Sequence, residues 1–420
     1  IINMNFIEEL KWRDLLKDVT NLDNLIERLK KPISLYCGFD PTADSLHIGH
    51  LQQLVLLKRY QNQGHHPIAL LGGGTGMIGD PRPTTERQLL SDEDLLKNVE
   101  GIGHQIKTIL ESDNNPVQIV NNHTWLKDIT VLDFLRDYGK FFSVSNMIAK
   151  DTVAKSLDTG ISFTEFSYTI LQAIDFNHLY ENYDVELQIG GSDQWGNLVS
   201  GIDLIRRLQG SDVEVFGVTS PLITKSDGSK FGKSEGENIW LDARYTSPYD
   251  FYQFFINTSD DDVMNFTKRL SLKSIDEINS IEETFLKAPH ERHAQRELAK
   301  ELTQLVHGDE GLALALKLTD AFFSGNIQDL SASQLEVLFK DAKSYLAQED
   351  MNLVELLVAS KIAPSKREAR QLINNNAIRI NGEVVSDEDF IVSKDSAIEN
   401  KLTVIRRGRR HYYVINHDEE

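Results

Sequence analysis

The chain has 420 residues, 40 % apolar and 26 % charged, which excludes a wholly disordered chain, a collagen or a disulfide-stapled miniprotein and predicts two or three domains. The net charge is −20, from 44 basic and 64 acidic residues, and argues against wholesale nucleic-acid binding. Apolar runs fall far short of the ~18 residues of a membrane span, no basic-then-apolar leader precedes or follows Met4, and Cys37 is the only cysteine, so we expect a cytoplasmic protein with neither a disulfide nor a cysteine-rich zinc site.

In chain order, Leu22, Leu25, Ile26 and Leu29 recur at helical spacing behind Asn21, a good cap, and form the second of two opening amphipathic helices. Pro32 ends it. Ile33–Cys37 reads as a buried strand, Gly38–Ser45 as a loop, and Ile48 to Leu57 as a helix. Pro67–Leu71 and Val117–Val120 are further strands, the former running into Gly72-Gly73-Gly74-Thr75-Gly76. Ser162–His178 reads as one helix opened by a Ser162-x-x-Glu165 capping box. Val185–Gly190 and Val213–Leu222 complete the strands. This alternation predicts an α/β domain with a parallel sheet, whose ligands bind at the carboxyl ends of the strands. Pro248–Phe323 is helical in pattern, Ser324–Asp350 reads as a polar connection, and Met351–Glu420 as a small α/β unit with a hairpin at Asn381-Gly382.

Two motifs point to phosphate chemistry. In the run Tyr36–His50, His47 and His50 sit three apart where a helix begins, an end that presents free N–H groups and partial positive charge. Gly49 lets a flat ligand approach, and the imidazoles can donate to phosphate oxygens; a metal would need a third ligand, and none is nearby. The second motif, Lys230-Phe231-Gly232-Lys233-Ser234, lies in a Gly- and Ser-rich segment. Its lysines can close over a polyphosphate and stabilise charge in the transition state.

Together these two motifs resemble the class I aminoacyl-tRNA synthetase signature, whose second element is usually Lys-Met-Ser-Lys-Ser. The runs Tyr36–His50, Gly72–Pro81, Glu165–Asp175 and Gln188–Asn197 are similar to the bacterial tyrosyl-tRNA synthetase family, and Met351–Glu420 resembles that family's C-terminal RNA-binding domain. The resemblance implies a Rossmann-like catalytic domain over 1–223, a mobile lysine loop and connection over 224–247, a helical anticodon-side domain over 248–323, a linker over 324–350 and a small α/β RNA-binding domain over 351–420.

Tyr168, Gln172 and Asp175 share one helix face among apolar neighbours, so a polar partner is needed there. A tyrosine fits: its phenol donates to Asp175 and accepts from Tyr36, while Tyr168 and Gln172 hold its ammonium. The resemblance implies the same roles and adds Asp80 at the ammonium, Gln194 at the carboxylate, Gly38 and Asp40 at the nucleotide, Gly191 against the adenosine, Asp193 at the ribose hydroxyls and Cys37 facing the ribose. Thr42, His47, His50, Lys230, Lys233 and Ser234 would hold the phosphates of ATP. The family commonly has a lysine in the loop after Pro81; here Thr84-Thr85 stands in a loop one residue shorter, with Arg87 as the basic position and Arg82 as a possible substitute. Gly74-x-Gly76-x-x-Gly79 matches a dinucleotide fingerprint, but Asp80-Pro81-Arg82-Pro83 follows where a helix should open, which argues against nicotinamide binding.

The tail holds 11 basic and 11 acidic residues, so the whole acidic excess belongs to residues 1–350. Lys366, Arg367 and Arg370 on a helix, and Arg379, Arg406, Arg407, Arg409 and Arg410 on strands and turns, can grip an RNA backbone. The reading is a tyrosine–tRNA ligase that uses ATP as substrate, with Mg2+ held mainly by its phosphates, no prosthetic group, tRNA(Tyr) as partner, no membrane association and a two-fold homodimer implied by the resemblance. Three alternatives remain: a tryptophanyl-tRNA synthetase, expected without the basic tail and the Tyr36/Asp175 pair; a small-molecule adenylyltransferase, which needs neither helical domain nor tail; and a non-catalytic RNA-binding module, against which His47, His50, Lys230 and Lys233 stand intact.

Overall fold

The alternation of buried β-runs with capped helices yields a five-stranded parallel sheet. In the computed structural model, which describes residues 4–78, 90–149, 158 and 160–418, the strands are β1 (Ser34–Phe39), β2 (His66–Leu71), β3 (Gln118–Asn121), β4 (Val185–Gly191) and β5 (Phe216–Ser220), in the order β3-β2-β1-β4-β5. Tyr36 stands in register with Ile68 on one side and Gln188 on the other. The order reverses between β1 and β4, so a crevice opens above their carboxyl ends, where ligands of such sheets sit. Asp80, Arg82, Thr84-Thr85 and Arg87 lie outside the described residues.

The chain forms two compact units, one of residues 1–246 and 253–307, the other of 247–252 and 308–420. In the first, helices α1 (Phe6–Trp12), α2 (Leu22–Arg28), α3 (Leu51–Asn62), α4 (Asp92–Ile109), α5 (His123–Leu126), α6 (Val131–Asp133), α7 (Val144–Ile148), α8 (Phe163–Phe166), α9 (Tyr168–Tyr183) and α10 (Trp195–Gln209) accompany the sheet. Asn21 caps α2 as expected, its side chain accepting from the Asn24 N–H. The segment expected as one helix, Ser162–His178, is instead two. Ser162 caps the first turn, accepting from the Glu165 N–H at 3.1 Å, but the Ser167 hydroxyl donates back to the Phe163 carbonyl at 2.6 Å and the chain restarts at Tyr168. Such a bond to the carbonyl four residues back bends a helix rather than ending it, and the Ser167 N–H also reaches the Phe163 carbonyl, at 2.9 Å. The second helix runs to Tyr183 and stops at Asp184 in a left-handed conformation (φ 55°).

Residues 248–323 are helical: α11 (Pro248–Ile256), α12 (Val263–Leu270), α13 (Ile275–Lys287), and α14 (His293–Ser324), which is interrupted at Gly308 (φ 72°).

In the second unit, the segment 324–350, expected to be a connection, is folded. It contributes α15 (Ala332–Leu338), capped by Ser331 and Gln334, and β8 (Lys343–Leu346). The remaining elements are β9 (Met351–Asn352), α16 (Leu353–Ala359), α17 (Lys366–Asn374), β10 (Ile378–Ile380), β11 (Glu383–Val384), β12 (Ile391–Val392), β13 (Leu402–Arg407) and β14 (His411–Asn416). The sheet order is β11-β10-β13-β14-β8, with β8 parallel to β14. Asn381 (φ 48°) and Gly382 (φ 89°) make the expected tight hairpin. Alternate residues of β13 and β14 point to opposite faces: Leu402, Val404 and Val414 pack on residues 318–339, whereas Ile405 and Ile415 pack on α16 and α17.

Candidate active site

β1 carries Tyr36 into the core, 2 % exposed, and ends at the exposed Gly38 and half-buried Asp40. Cys37 is 3 % exposed, with Sγ 4.0 Å from Gln53 Oε1, and burial pushes its thiol up to about 12. Thr42 is exposed, its N–H donating to the Asp40 carbonyl.

The histidine pair forms a reciprocal cap. The Gly49 N–H donates to His47 Nδ1 at 3.0 Å, and the His47 N–H donates to His50 Nδ1 at 3.2 Å, across a single 3-10 turn, Ile48–His50, that leads into α3. The imidazoles thus serve as the Ser and Glu of an ordinary capping box. Because each Nδ1 accepts, each neutral ring carries its proton on Nε2. Burial, then the neighbouring Lys233, lowers the pKa of His47; burial, then His47, pushes His50 down to about 3. Both are therefore neutral donors. A Cβ on Gly49 would lie 2.6 Å from His47 Cε1, so only glycine allows the cap.

The lysine segment docks on this turn. Its strand β6 (Lys233–Ser234) pairs with β7 (Glu237–Asn238) through a turn at Glu235 (φ 51°) and Gly236 (φ 84°). The Ile48 N–H donates to the Ile239 carbonyl, the Leu241 N–H to Leu46, and the Ile239 N–H to Gly232. Gly232 (φ 99°) lies so near that its Cβ would sit 3.3 Å from the Gly49 nitrogen. Phe231 packs edge-on against Phe254 of α11 and Phe266 of α12, at 5.9 and 5.0 Å between centroids. Lys230, Lys233 and Ser234 remain exposed. At the loop's root, the Pro221 carbonyl accepts from both Gln52 Nε2 and Arg269 Nη1 at 2.9 Å, and Arg269 also pairs with Asp14. The motif's departure from the usual Met-Ser thus places an aromatic anchor and a left-handed residue between its lysines.

On α9, Tyr168 and Asp175 are buried and Gln172 is half-buried. Asp175, 2 % exposed, accepts from Trp125 Nε1 (2.8 Å) and Asn122 Nδ2 (3.0 Å). Burial pushes its carboxyl up to about 7, against the pull of those two donors. Tyr36 is pushed well above its ordinary value, first by burial and then by Asp175. Asn122 also accepts from the Gly74 N–H at 2.7 Å, tying the glycine loop to the same carboxylate; that loop makes only a short 3-10 turn, Thr75–Met77. Neither Asn122 nor Trp125 was anticipated, although both follow β3 at the carboxyl edge where ligand residues gather. Gln172 Nε2 donates to Gln194 Oε1 at 3.4 Å, while the buried Gln172 Oε1 meets no donor among the described residues. Beyond β4, Asp193 is exposed, and a side chain at Gly191 would meet its Oδ1 at 2.8 Å.

In the second unit, Lys366, Arg367 and Arg370 lie exposed on α17, and Arg409 and Arg410 on the β13–β14 turn. Arg379, Arg406 and Arg407 are half-buried and donate to the carbonyls of Gly382, Gly408 and Ile362. Arg379 stands directly opposite Arg406 across the sheet, and like charges in that relation repel.

Comparison with known proteins accords with this arrangement. Residues 27–324 match the model of class I tRNA synthetases for tryptophan and tyrosine, and residues 334–415 that of the tyrosine–tRNA ligase C-terminal domain. The chain is 50 % identical over 418 residues to a tyrosine–tRNA ligase of Listeria monocytogenes, covering 99 % of this chain and 100 % of the relative. It is 49 % identical over 419 residues to tyrosine–tRNA ligase 1 of Bacillus cereus, with the same coverage. A C-terminally truncated mitochondrial tyrosyl-tRNA synthetase of Aspergillus nidulans superposes with a TM-score of 0.68 at 29 % identity, over 76 % of this chain and 95 % of that one. A tryptophanyl-tRNA synthetase of Encephalitozoon cuniculi shares the fold, with a TM-score of 0.55 at 15 % identity, over 73 % of this chain and 89 % of that one. The chain belongs to the class I tRNA synthetases and, within them, to the tyrosine–tRNA ligases.

Proposed function

We propose that the described residues divide the tyrosine–tRNA ligase reaction between a phenol pocket beneath the sheet edge and a phosphate clasp above it. The phenol donates to Asp175 and accepts from Tyr36; the ammonium supplies the donor that Gln172 Oε1 lacks, with Tyr168 beside it and Gln194 near the carboxylate. The observation that carries this reading is the buried Asp175, held by two donors at the foot of the crevice and still able to accept. Phenylalanine there would leave Asp175 and Tyr36 short of a partner, which is costly in a buried site.

The tyrosine carboxylate oxygen attacks the α-phosphorus of ATP, forming the mixed anhydride tyrosyl-adenylate and expelling pyrophosphate. The terminal ribose hydroxyl of the tRNA then attacks the tyrosyl carbonyl and AMP leaves. His47 and His50 donate from Nε2, and Lys230, Lys233, Ser234 and Thr42 surround the phosphates, so the chemistry is positioning and charge stabilisation. Gly38, Asp40 and Cys37 from β1, with Gly191 and Asp193 from β4, line the nucleotide. Mg2+ enters with ATP, held by its phosphates. Asp80 and Arg87 complete the set.

We assign tRNA backbone contacts to the exposed Lys366, Arg367, Arg370, Arg409 and Arg410, to the cross-strand pair Arg379 and Arg406, whose repulsion a polyanion relieves, and to Arg407 on the opposite face. We also propose a cytoplasmic homodimer. Among the described residues no helix is long and apolar enough to cross a membrane, yet Val131, Leu132, Leu135, Val144 and Phe163 are between 53 % and 75 % exposed, the kind of apolar surface that a second copy covers. Sedimentation of the chain carrying Val131→Asp and Leu132→Asp is expected to give monomers; an unchanged dimer would place the interface elsewhere.

The test of the activity is ATP–pyrophosphate exchange with tyrosine, phenylalanine, tryptophan and no amino acid. Exchange with tyrosine alone is expected. Exchange with tryptophan would overturn the pocket but keep the class, and none at all from folded protein would leave only RNA binding.

A further inference from the structure

Asp175 depends on donors whose direction is set elsewhere. An indole can only donate, and the torsion that turns its ring is broad, so the aim of Trp125 Nε1 is set by what lies against its two faces. Trp125 packs into the core cluster with Tyr36, Ile68, Val120 and Phe176. His178, one turn beyond Asp175 on the same helix, stacks on the indole, with centroids 4.2 Å apart and planes 15° from parallel. The imidazole is held in turn by Asn182, whose Nδ2 lies 3.3 Å from His178 Nδ1 and donates to the His178 carbonyl. Tyr183 stands 6.2 Å away.

We propose that His178 is a positioning residue for tyrosine recognition: its ring, stacked on Trp125, keeps the indole N–H directed at Asp175. It acts through Trp125 and Asp175 alone. Without the stack, the indole tilts and Asp175 keeps one donor of two. The bare oxygen then accepts the phenol in a poorer direction, and the carboxylate, already pushed up by burial, loses one of the two groups that oppose that shift. The cost falls on the phenol and spares the nucleotide, because the described part of the phosphate clasp is held by other elements, through the backbone bonds that join Leu46 and Ile48 to Leu241 and Ile239.

This inference rests on the phenol-pocket reading, and the experiment separates the two. Exchange kinetics of full-length His178→Ala, His178→Gln and His178→Phe are measured with tyrosine and ATP varied in turn. Losing one hydrogen bond to a charged group predicts a KM for tyrosine raised roughly tenfold in the Ala and Gln variants. The KM for ATP stays unchanged, and His178→Phe, which keeps a flat ring, returns to near the parent value. An unchanged KM for tyrosine in His178→Ala, a Phe variant as impaired as Ala, a Gln variant as good as the parent, or a parallel rise in both KM values would each overturn it. Asp175→Asn tests the pocket itself: undiminished selection of tyrosine over phenylalanine there would sink the phenol reading whatever His178 does.

Discussion

A carboxylate with a raised pKa and two imidazoles with lowered ones stand in one site, so a mild fall in pH reaches the carboxylate first. Asp175 is pushed up to about 7 by burial, so it gains a proton as the pH falls through that value. The ionised form accepts the phenol, so tyrosine recognition is present above about 7 and fades below it. His50, down at about 3, stays neutral across this range, and burial together with Lys233 lowers His47 as well. We therefore expect kcat/KM for tyrosine, which reports on the free enzyme, to fall below pH ~7, with the KM for ATP nearly flat. Steady-state kinetics across that range check this, and Asp175→Asn should abolish the inflection. Asp175 was legible because a polar stripe on an otherwise apolar helix face demands a partner. Asn122 and Trp125 were not, because they lie about fifty positions away in sequence and meet Asp175 only once β3 pairs with β2.

Among the elements, the lysine loop is the one built to be placed rather than buried. Two exposed lysines cannot hold it; the aromatic contacts of Phe231 and the backbone bonds to Leu46 and Ile48 do. Each edge-to-face pair contributes about 0.5–1.5 kcal/mol, so Phe231→Ala should lower the rate of adenylate formation roughly tenfold with an unchanged KM for tyrosine. Phe231→Met, the residue usual in this motif, should recover most of the rate, since a thioether packs well on rings. Single-turnover measurement of adenylate formation decides it; a full rate in the Ala variant would remove Phe231 as the anchor. The Lys-x-x-Lys spacing was readable in the sequence. Its docking was not, since Phe254, Phe266 and Gly49 are distant along the chain. Nor was the break at Ser167, since Ser162-x-x-Glu165 signals a helix start but not where its first turn ends.

Across the whole molecule, acid dominates, and the binding of a polyanion must be local. Arg409 and Arg410 are exposed at a hairpin tip, whereas Arg379, Arg406 and Arg407 already donate to carbonyls of their own unit. Replacing Arg409 and Arg410 by alanine should weaken tRNA binding and flatten its salt dependence by about two phosphate contacts. Pyrophosphate exchange should be unaffected. Filter binding at several salt concentrations tests this, and an unaltered slope would move the RNA elsewhere. The two basic clusters were plain in the sequence because charge needs no partner to be noticed. The strand Lys343–Leu346 was hidden, since four residues at a sheet's rim carry neither an apolar run nor a clean alternation.

That rim strand bears on how the gene can be divided. A fragment starting at Met351 would lack β8 and all of residues 318–339. β14 would then present unpaired amides to any neighbouring chain, and Leu402, Val404 and Val414 would face water. Such a fragment invites edge-to-edge association. A cut placed shortly after Gly308 would carry the rim strand and the covering helices along with the sheet, leaving behind only residues 247–252 of that unit, whose Tyr249 packs on the same core; this C-terminal quarter should stay monomeric where the shorter fragment associates.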